Sequence, residues 1–384
     1  MTRFDRRQFL LATIAASATM VGCAREGSYP PRRQRHDPYR LWDDVAQGRI
    51  PGGYGLVAAA TLAASPHNTQ AWRFRPSSSH IDVFAAMDRH LGALDPLRRE
   101  MWLGLGCAVE NLVVAAAARG CSMRVELLPS SADPRWAARV HLGDGRGSEP
   151  LVEALPRRHT QRAAYDTGRG VDRHDRVLLA GCAADAETRL LLAPADSEHG
   201  RRWGRLAIRA TERIVADSEM ASASQAWFRY RRRDVREHRD GPTLRAAGLP
   251  RGQRALAALL PEPSPERSHE YWLRATRERQ VPTAALWGVI CVRNRYDRRQ
   301  ALQAGRLWQR LHLTGTALGL AMQPLNQVPE VIDRDRNLGN PRALEQDALA
   351  LTGAPDSQPT FVFRVGHAPP APRSPRLPLE EVIA

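Results

Sequence analysis

LRREMWLGLGCAVENLVVAAAARG, residues 97–120, is the stretch on which the fold turns. Apolar residues recur at helical spacing from Leu97 to Arg119, and Gly120 stops them. Met123-Arg124-Val125-Glu126-Leu127 then alternates in character and predicts a strand. Upstream, Ala71-Trp72-Arg73-Phe74 and Ile81-Asp82-Val83-Phe84 also read as strands. A helical pattern from Leu41 to about Ala64, broken at Pro51-Gly52-Gly53, precedes them. The same order returns downstream. Leu286–Val292 is strand-like, Arg306–Leu318 carries an apolar helical stripe, Gly319 ends it, and Ala321-Met322-Gln323-Pro324 follows. The pattern implies an internal duplication, two half-domains packed together.

The predicted divisions are residues 1–23 as an export signal, 24–40 as a tether, 41–150 as the first half and 151–384 as the second. An arginine-rich insertion at about 218–282 interrupts the second half. It contains Arg229-Tyr230-Arg231-Arg232-Arg233 and the breaker cluster Pro261-Glu262-Pro263-Ser264-Pro265. Asp234, Glu237 and Asp240 are interleaved with its cations, so a solvated helix face is the simpler reading of the basic run. So long a structureless insertion in a compact domain implies a functional one.

At the N-terminus, Arg6-Arg7-Gln8-Phe9-Leu10 precedes an apolar run that ends at Val21, the form of a twin-arginine export signal. The run is too short to span a bilayer. Gly22-Cys23 resembles a lipobox and makes Cys23 a lipidation candidate, which implies a periplasmic or membrane-anchored protein.

The chain of 384 residues is 43% hydrophobic and 25% charged, which excludes wholesale disorder. Its 56 cationic residues are all arginine and outnumber 41 acids, for a formal charge of +15. Without lysine there is no Schiff-base chemistry and no Gly-Lys-Ser/Thr phosphate loop. Nucleic acid is a poor fit for an exported protein whose arginines are spread along the chain. No Cys-x-x-Cys pair signals zinc or a dithiol, and buried free thiols are the simple reading of Cys107, Cys121, Cys182 and Cys291. There is no metal-binding His-Glu-x-x-His and no Gly-x-Ser-x-Gly elbow, and Gly104-Leu105-Gly106 lacks a third glycine.

Three segments carry positive chemistry. Ser65-Pro66-His67-Asn68-Thr69-Gln70 sets amides and hydroxyls beside the strand that starts at Ala71-Trp72, suited to the polar edge of a heteroaromatic ring. Arg157-Arg158-His159-Thr160-Gln161-Arg162 suits a terminal phosphate. The tail, Arg373-Ser374-Pro375-Arg376-Leu377-Pro378-Leu379-Glu380-Glu381, follows the strand-like Thr360–Gly366.

Together they resemble the nitroreductase family. Ser65, Asn68, Gln70 and Trp72 look like its flavin-contacting loop, and Arg158, Thr160 and Arg162 look like its Arg-x-Ser-x-Arg phosphate motif. Ser374 and Arg376 fall where its C-terminal tail contacts phosphate, and Pro324-Leu325-Asn326 matches the loop that approaches the reactive flavin nitrogen. The export signal and paired halves are similar to the Acg-like branch. The resemblance implies an α+β nitroreductase-like fold in which one chain mimics the family homodimer, so that the protein is a monomer. It implies one FMN per chain, and reduction of nitroaromatics or quinones by the flavin, with no covalent side-chain nucleophile and no metal. It leaves NAD(P)H or another donor as the reductant. The alternative is a protein that sequesters FMN under a lid. If the FMN reading holds, the guanidiniums of Arg158, Arg162 and Arg376 are expected to converge on one anion pocket.

Overall fold

A computed structural model describes residues 37–145, 148–183, 185–354 and 356–384. The expected export signal, Cys23 and most of the tether lie outside the described residues. Helices α1 (Arg40–Ala46) and α2 (Gly52–Thr61) lead into the first sheet. Its strands are β1 (Trp72–Pro76), β2 (His80–Ala85), β3 (Cys121–Leu127) and β4 (Trp136–Asp144), with helix α3 (Arg99–Ala118) between β2 and β3. The order is β1-β2-β4-β3 and every pairing is antiparallel.

In the second half, α4 (Arg173–Ala180) precedes β5 (Thr188–Pro194). Helices α5 (Glu198–Ala216), α6 (Ser218–Gln225), α7 (Arg232–His238), α8 (Arg251–Ala257) and α9 (Pro265–Ala275) then intervene before β6 (Leu286–Val292). The chain continues through α10 (Arg298–Ala317), β7 (Ala321–Pro324), α11 (Gln327–Leu338), α12 (Ala343–Thr352), β8 (Gln358–Gly366) and α13 (Leu379–Val382). The second sheet runs β5-β6-β8-β7, also antiparallel throughout. The two sheets therefore share one strand order, and in each the second strand leads to a 20-residue helix and then to the third strand. The fold is α+β, as the resemblance implies. The helical insertion is longer than expected, because it includes α5, whose arginine-rich face hides an apolar one built on Trp203, Leu206, Ala207, Ala210 and Ile214.

Helices α3 and α10 hold the halves together. A Cβ on Gly106 would collide with the Leu302 carbonyl oxygen, and one on Gly305 with that of Leu103. Each glycine is the eighth residue of its helix, so the close approach is reciprocal. Glycine is needed here because the backbones themselves touch. Further along, Gln309 Nε2 donates to Asn111 Oδ1 at 2.7 Å, and Glu110 pairs with Arg306 at 3.0 Å and Arg310 at 2.6 Å. Although α3 is long and apolar enough to cross a membrane, it is sheathed in protein and serves as the core helix.

The tail crosses back to the first half. Ile383 bridges Phe74, Trp42 Nε1 donates to the Ser374 carbonyl at 2.8 Å, and Arg373 pairs with Asp43 at 2.8 Å. Cys107, Cys182 and Cys291 are free thiols; Cys121 is disulfide-bonded, which corrects the expectation for that residue.

Candidate functional site

The loop before β1 is strained. His67, Asn68 and Gln70 take φ values of 42°, 53° and 53°, a left-handed region that non-glycine residues rarely enter. Each such residue costs of order 1–3 kcal/mol and persists only when its surroundings over-determine it. Here they do. Ser65 Oγ accepts from the Gln70 amide at 2.8 Å and lies 3.2 Å from Thr69 Oγ1. Gln70 Oε1 accepts from the Leu377 amide at 2.8 Å, and its Nε2 donates to the Arg239 carbonyl at 3.0 Å. Asn68 Nδ2 donates to the Pro375 carbonyl at 3.0 Å. The tail and the insertion thus clamp the loop from two sides. On its outer turn, His67 Nε2 lies 2.9 Å from Ser224 Oγ of α6. Burial, with Arg162 nearby, lowers the His67 pKa to about 4, so the imidazole is neutral at pH 7.

The three expected arginines divide into two places. Arg158 and Arg376 meet: both donate to the Leu62 carbonyl, at 2.9 and 3.2 Å. All five N–H groups of Arg376 are engaged, by Thr61, Leu62, Ala63 and Pro375 carbonyls and by Asn68 Oδ1. Its guanidinium also lies 4.7 Å above the Trp42 ring. No carboxylate pairs with either arginine among the described residues. The counter-charge is the C-terminal end of α2, whose carbonyls carry the negative pole of the helix dipole. The expected convergence of all three guanidiniums on one anion pocket is therefore not met, and the two that do meet need no exogenous anion here. Burial pulls Arg158 down to about 10 and Arg376 well below its usual value. The neighbouring His159 falls to about 3 through burial and these cations.

Arg162 instead faces a cavity of about 1460 Å³ between the two-sheet body and the insertion. Of the other expected site residues, Ser65, Thr160, Pro324 and Asn326 line the same cavity. Asn68, Gln70, Arg158, Ser374 and Arg376 are not among the lining residues, and Leu325 is buried in the core, its amide bonded to Val362 O at 2.8 Å. The cavity floor comes from both halves: Leu103, Gly104 and Cys107 on α3, Trp308 on α10, and Phe361 on β8. Gly104 lets Pro66 seat, since a Cβ there would stand 2.9 Å from Pro66 Cδ. The roof is the insertion, with Phe228, Tyr230, Trp272 and Leu260 among its lining groups.

Arg162 makes one hydrogen bond, to the Ala246 carbonyl at 3.4 Å, and no ion pair among the described residues. Burial lowers its pKa. A guanidinium so placed is built to receive an anion, and Thr160 adds a hydroxyl in the same wall. Two further floor residues, Glu100 and Glu330, escaped sequence reasoning. Each sits in the first turn of a helix, where an acid is ordinary. Among the described residues no cluster of His, Cys, Asp and Glu could hold a metal ion.

No family model matches the chain. It is 29% identical over 344 residues to a Mycobacterium tuberculosis H37Rv protein provisionally named NAD(P)H nitroreductase Rv3131, covering 85% of this chain and 90% of that one. It is 26% identical over 345 residues to a second protein of that strain, provisionally named NAD(P)H nitroreductase acg, covering 85% and 93%. Among solved structures, it is similar to the FMN-dependent nitroreductase NfnB from Mycobacterium smegmatis in complex with NADPH. That match has 20% identity and a TM-score of 0.36, over 60% of this chain and 97% of that one.

Proposed function

We propose that the chain is a nitroreductase-family flavoprotein that binds one FMN in the cavity beneath the insertion and reduces a quinone or nitroaromatic there. The observation that carries this reading is the convergence of three remote segments, Ser65–His67, Thr160–Arg162 and Pro324–Asn326, on one cavity. The similarity to two proteins named as NAD(P)H nitroreductases, across nearly their whole length, supports the same family.

The residues fit the group. Arg162 and Thr160 would hold the phosphate, and Ser65, His67 and Asn326 would face the polar edge of the ring. Bound FMN supplies the electron and hydride transfer. The protein's own work is placement. Arg376 and Arg158 fix the end of α2, the tail clamps the strained loop, and His67 stays neutral and adds no charge to the wall. The roof covers the floor.

The shared strand order and the reciprocal glycine crossing support an internal duplication, with a single chain standing for a dimer. The volume favours turnover over closed storage, because it exceeds the roughly 300–1,000 Å³ of one small-molecule site. Expression with added flavin, an absorbance spectrum, and NADPH oxidation with and without a quinone test this reading. A yellow protein with quinone-dependent oxidation supports it, and a protein that stays colourless with FMN contradicts it. Export through Arg6-Arg7 is a separate proposal, tested by Arg6→Lys with Arg7→Lys, which should leave folding intact and keep the protein inside the cell.

A further inference from the structure

Glu100, from the first half, and Glu330, from the second, line the same cavity floor. Their relative exposures are 4% and 5%. Neither has a cation to itself. Arg99, the nearest, donates through Nε to Asp333 Oδ2 at 2.6 Å and through Nη1 to the Thr360 carbonyl at 2.6 Å, and comes only within 3.5 Å of Glu100. Arg295 lies 3.8 Å from the other oxygen of Asp333. Asp95 spends its two oxygens on the Glu100 and Met101 amides, at 3.1 and 3.0 Å, capping α3. Four buried carboxylates thus share two buried guanidiniums. Full ionisation would leave two buried negative charges without counter-ions, which favours a cluster that keeps protons.

The geometry indicates which group keeps one. Asn326 Nδ2 donates to Glu100 Oε1 at 2.5 Å, a bond that favours the ionised form. Glu330 Oε2 has no hydrogen-bond partner among the described residues, although its side chain lines the cavity. We infer that Glu330 is a neutral carboxylic acid that delivers its proton to an acceptor reduced in the cavity, with Glu100 as the group that refills it. The inference rests on the flavin reading for the identity of the hydride donor.

For a quinone, the balance is as follows. Hydride from the reduced flavin brings two electrons and one proton and leaves an oxyanion. An O–H bond forms on that oxygen as the Glu330 O–H bond breaks. A proton taken up from water by the Glu100 carboxylate then passes to the resulting Glu330 carboxylate, which leaves Glu100 ionised as before. Burial and the neighbouring carboxylates agree with this order: Glu330 is raised well above the usual carboxyl range, Glu100 to about 7 and Asp95 to about 6. The charged groups facing Glu330 are Glu100, Arg99 and Asp95 from the α3 end and Asp333 from its own helix, while Glu278 and Arg279 lie in the roof.

Infrared spectroscopy of the flavin-free protein reads the proton directly. At pH 7 the wild type should show a carboxylic-acid carbonyl stretch that Glu330→Gln removes. In Glu100→Gln the band should persist and titrate away at lower pH, because a repelling charge is gone. In flavin-loaded protein, Glu330→Gln should lose at least tenfold in quinone reduction with FMN affinity unchanged, and Glu330→Asp should recover part of it. Absence of the band in the wild type, or its survival in Glu330→Gln, overturns the inference. A protein that shows the band but binds no FMN leaves the proton assignment standing and defeats the flavin reading instead.

Discussion

The two halves share a strand order and differ in two connections, of which β7 to β8, carrying α11 and α12 where β3 to β4 is a short loop, is the shorter. In the first sheet, β1 passes to β2 through Ser77–Ser79, whose hydroxyls close the turn on His80. In the second, residues 195–285 separate β5 from β6 and fold into α5 to α9. The large cavity lies under that long connection, and the first half contributes a strained loop and a helix face to it. The common frame therefore supplies stability, and the two unequal connections, the long one as roof and the start of α11 as floor, make a site on one side. Symmetric positions should then act on folding, and asymmetric ones on the ligand.

The largest effect is expected at the crossing of α3 and α10. Gly106→Val or Gly305→Val drives a side chain into backbone that cannot yield, and should cost at least about 3 kcal/mol, at the upper end of overpacking. Both should fail to accumulate as folded protein. If one is tolerated in chemical denaturation and the other is not, the crossing is not a reciprocal one.

Arg376→Ala comes next. It strands the Thr61 and Ala63 carbonyls, leaves Leu62 to Arg158 alone and frees the strained loop, for a loss of about 3 kcal/mol. Its melting temperature should fall steeply, and any loss of FMN affinity should follow the loss of stability. A variant with unchanged melting and weakened flavin would move Arg376 into the phosphate site.

The pH dependence separates the two buried clusters. Asp95, at about 6, and Glu100, at about 7, are raised, so the folded state holds protons that the unfolded chain has released. Their stabilising contribution is complete below the ordinary carboxyl range and is lost as pH rises through about 7. His67, at about 4, and His159, at about 3, are lowered. Their contribution is present above the ordinary histidine value of roughly 6.5 and is lost as pH falls toward 3. Thermal melts across pH 4–8 should show a maximum between the two losses. Substituting both histidines with glutamine should flatten the acid arm alone.

Arg162→Ala should leave melting nearly unchanged and weaken FMN binding about tenfold, or ~1.4 kcal/mol. The smallest effect belongs to the exposed pair of Arg209 with Asp347, at 2.7 Å. Arg209→Ala should cost under about 1 kcal/mol and leave FMN affinity untouched.

Much of the fold was legible because its periodicities are local: the α3 and α10 stripes, their terminal glycines and the alternating strands each announce themselves within a short window. The segments that meet at the cavity were legible for the same reason, as contiguous polar motifs. Roles within them were not. Nothing in Ser-Pro-Arg-Leu-Pro shows that Arg376 spends three of its five donors on the end of a helix more than three hundred residues upstream. Glu100 and Glu330 each look like an ordinary first-turn acid until the fold places them together. The extent of the insertion was hidden because α5 wears its arginines outward and its apolar face is visible only against a partner.

The most direct test of the account is the FMN stoichiometry of the purified chain, measured by equilibrium dialysis alongside its mass in solution. The account predicts one FMN per monomeric chain, lost selectively in Arg162→Ala. Two equivalent sites per chain, or flavin bound only by a dimer, would contradict it.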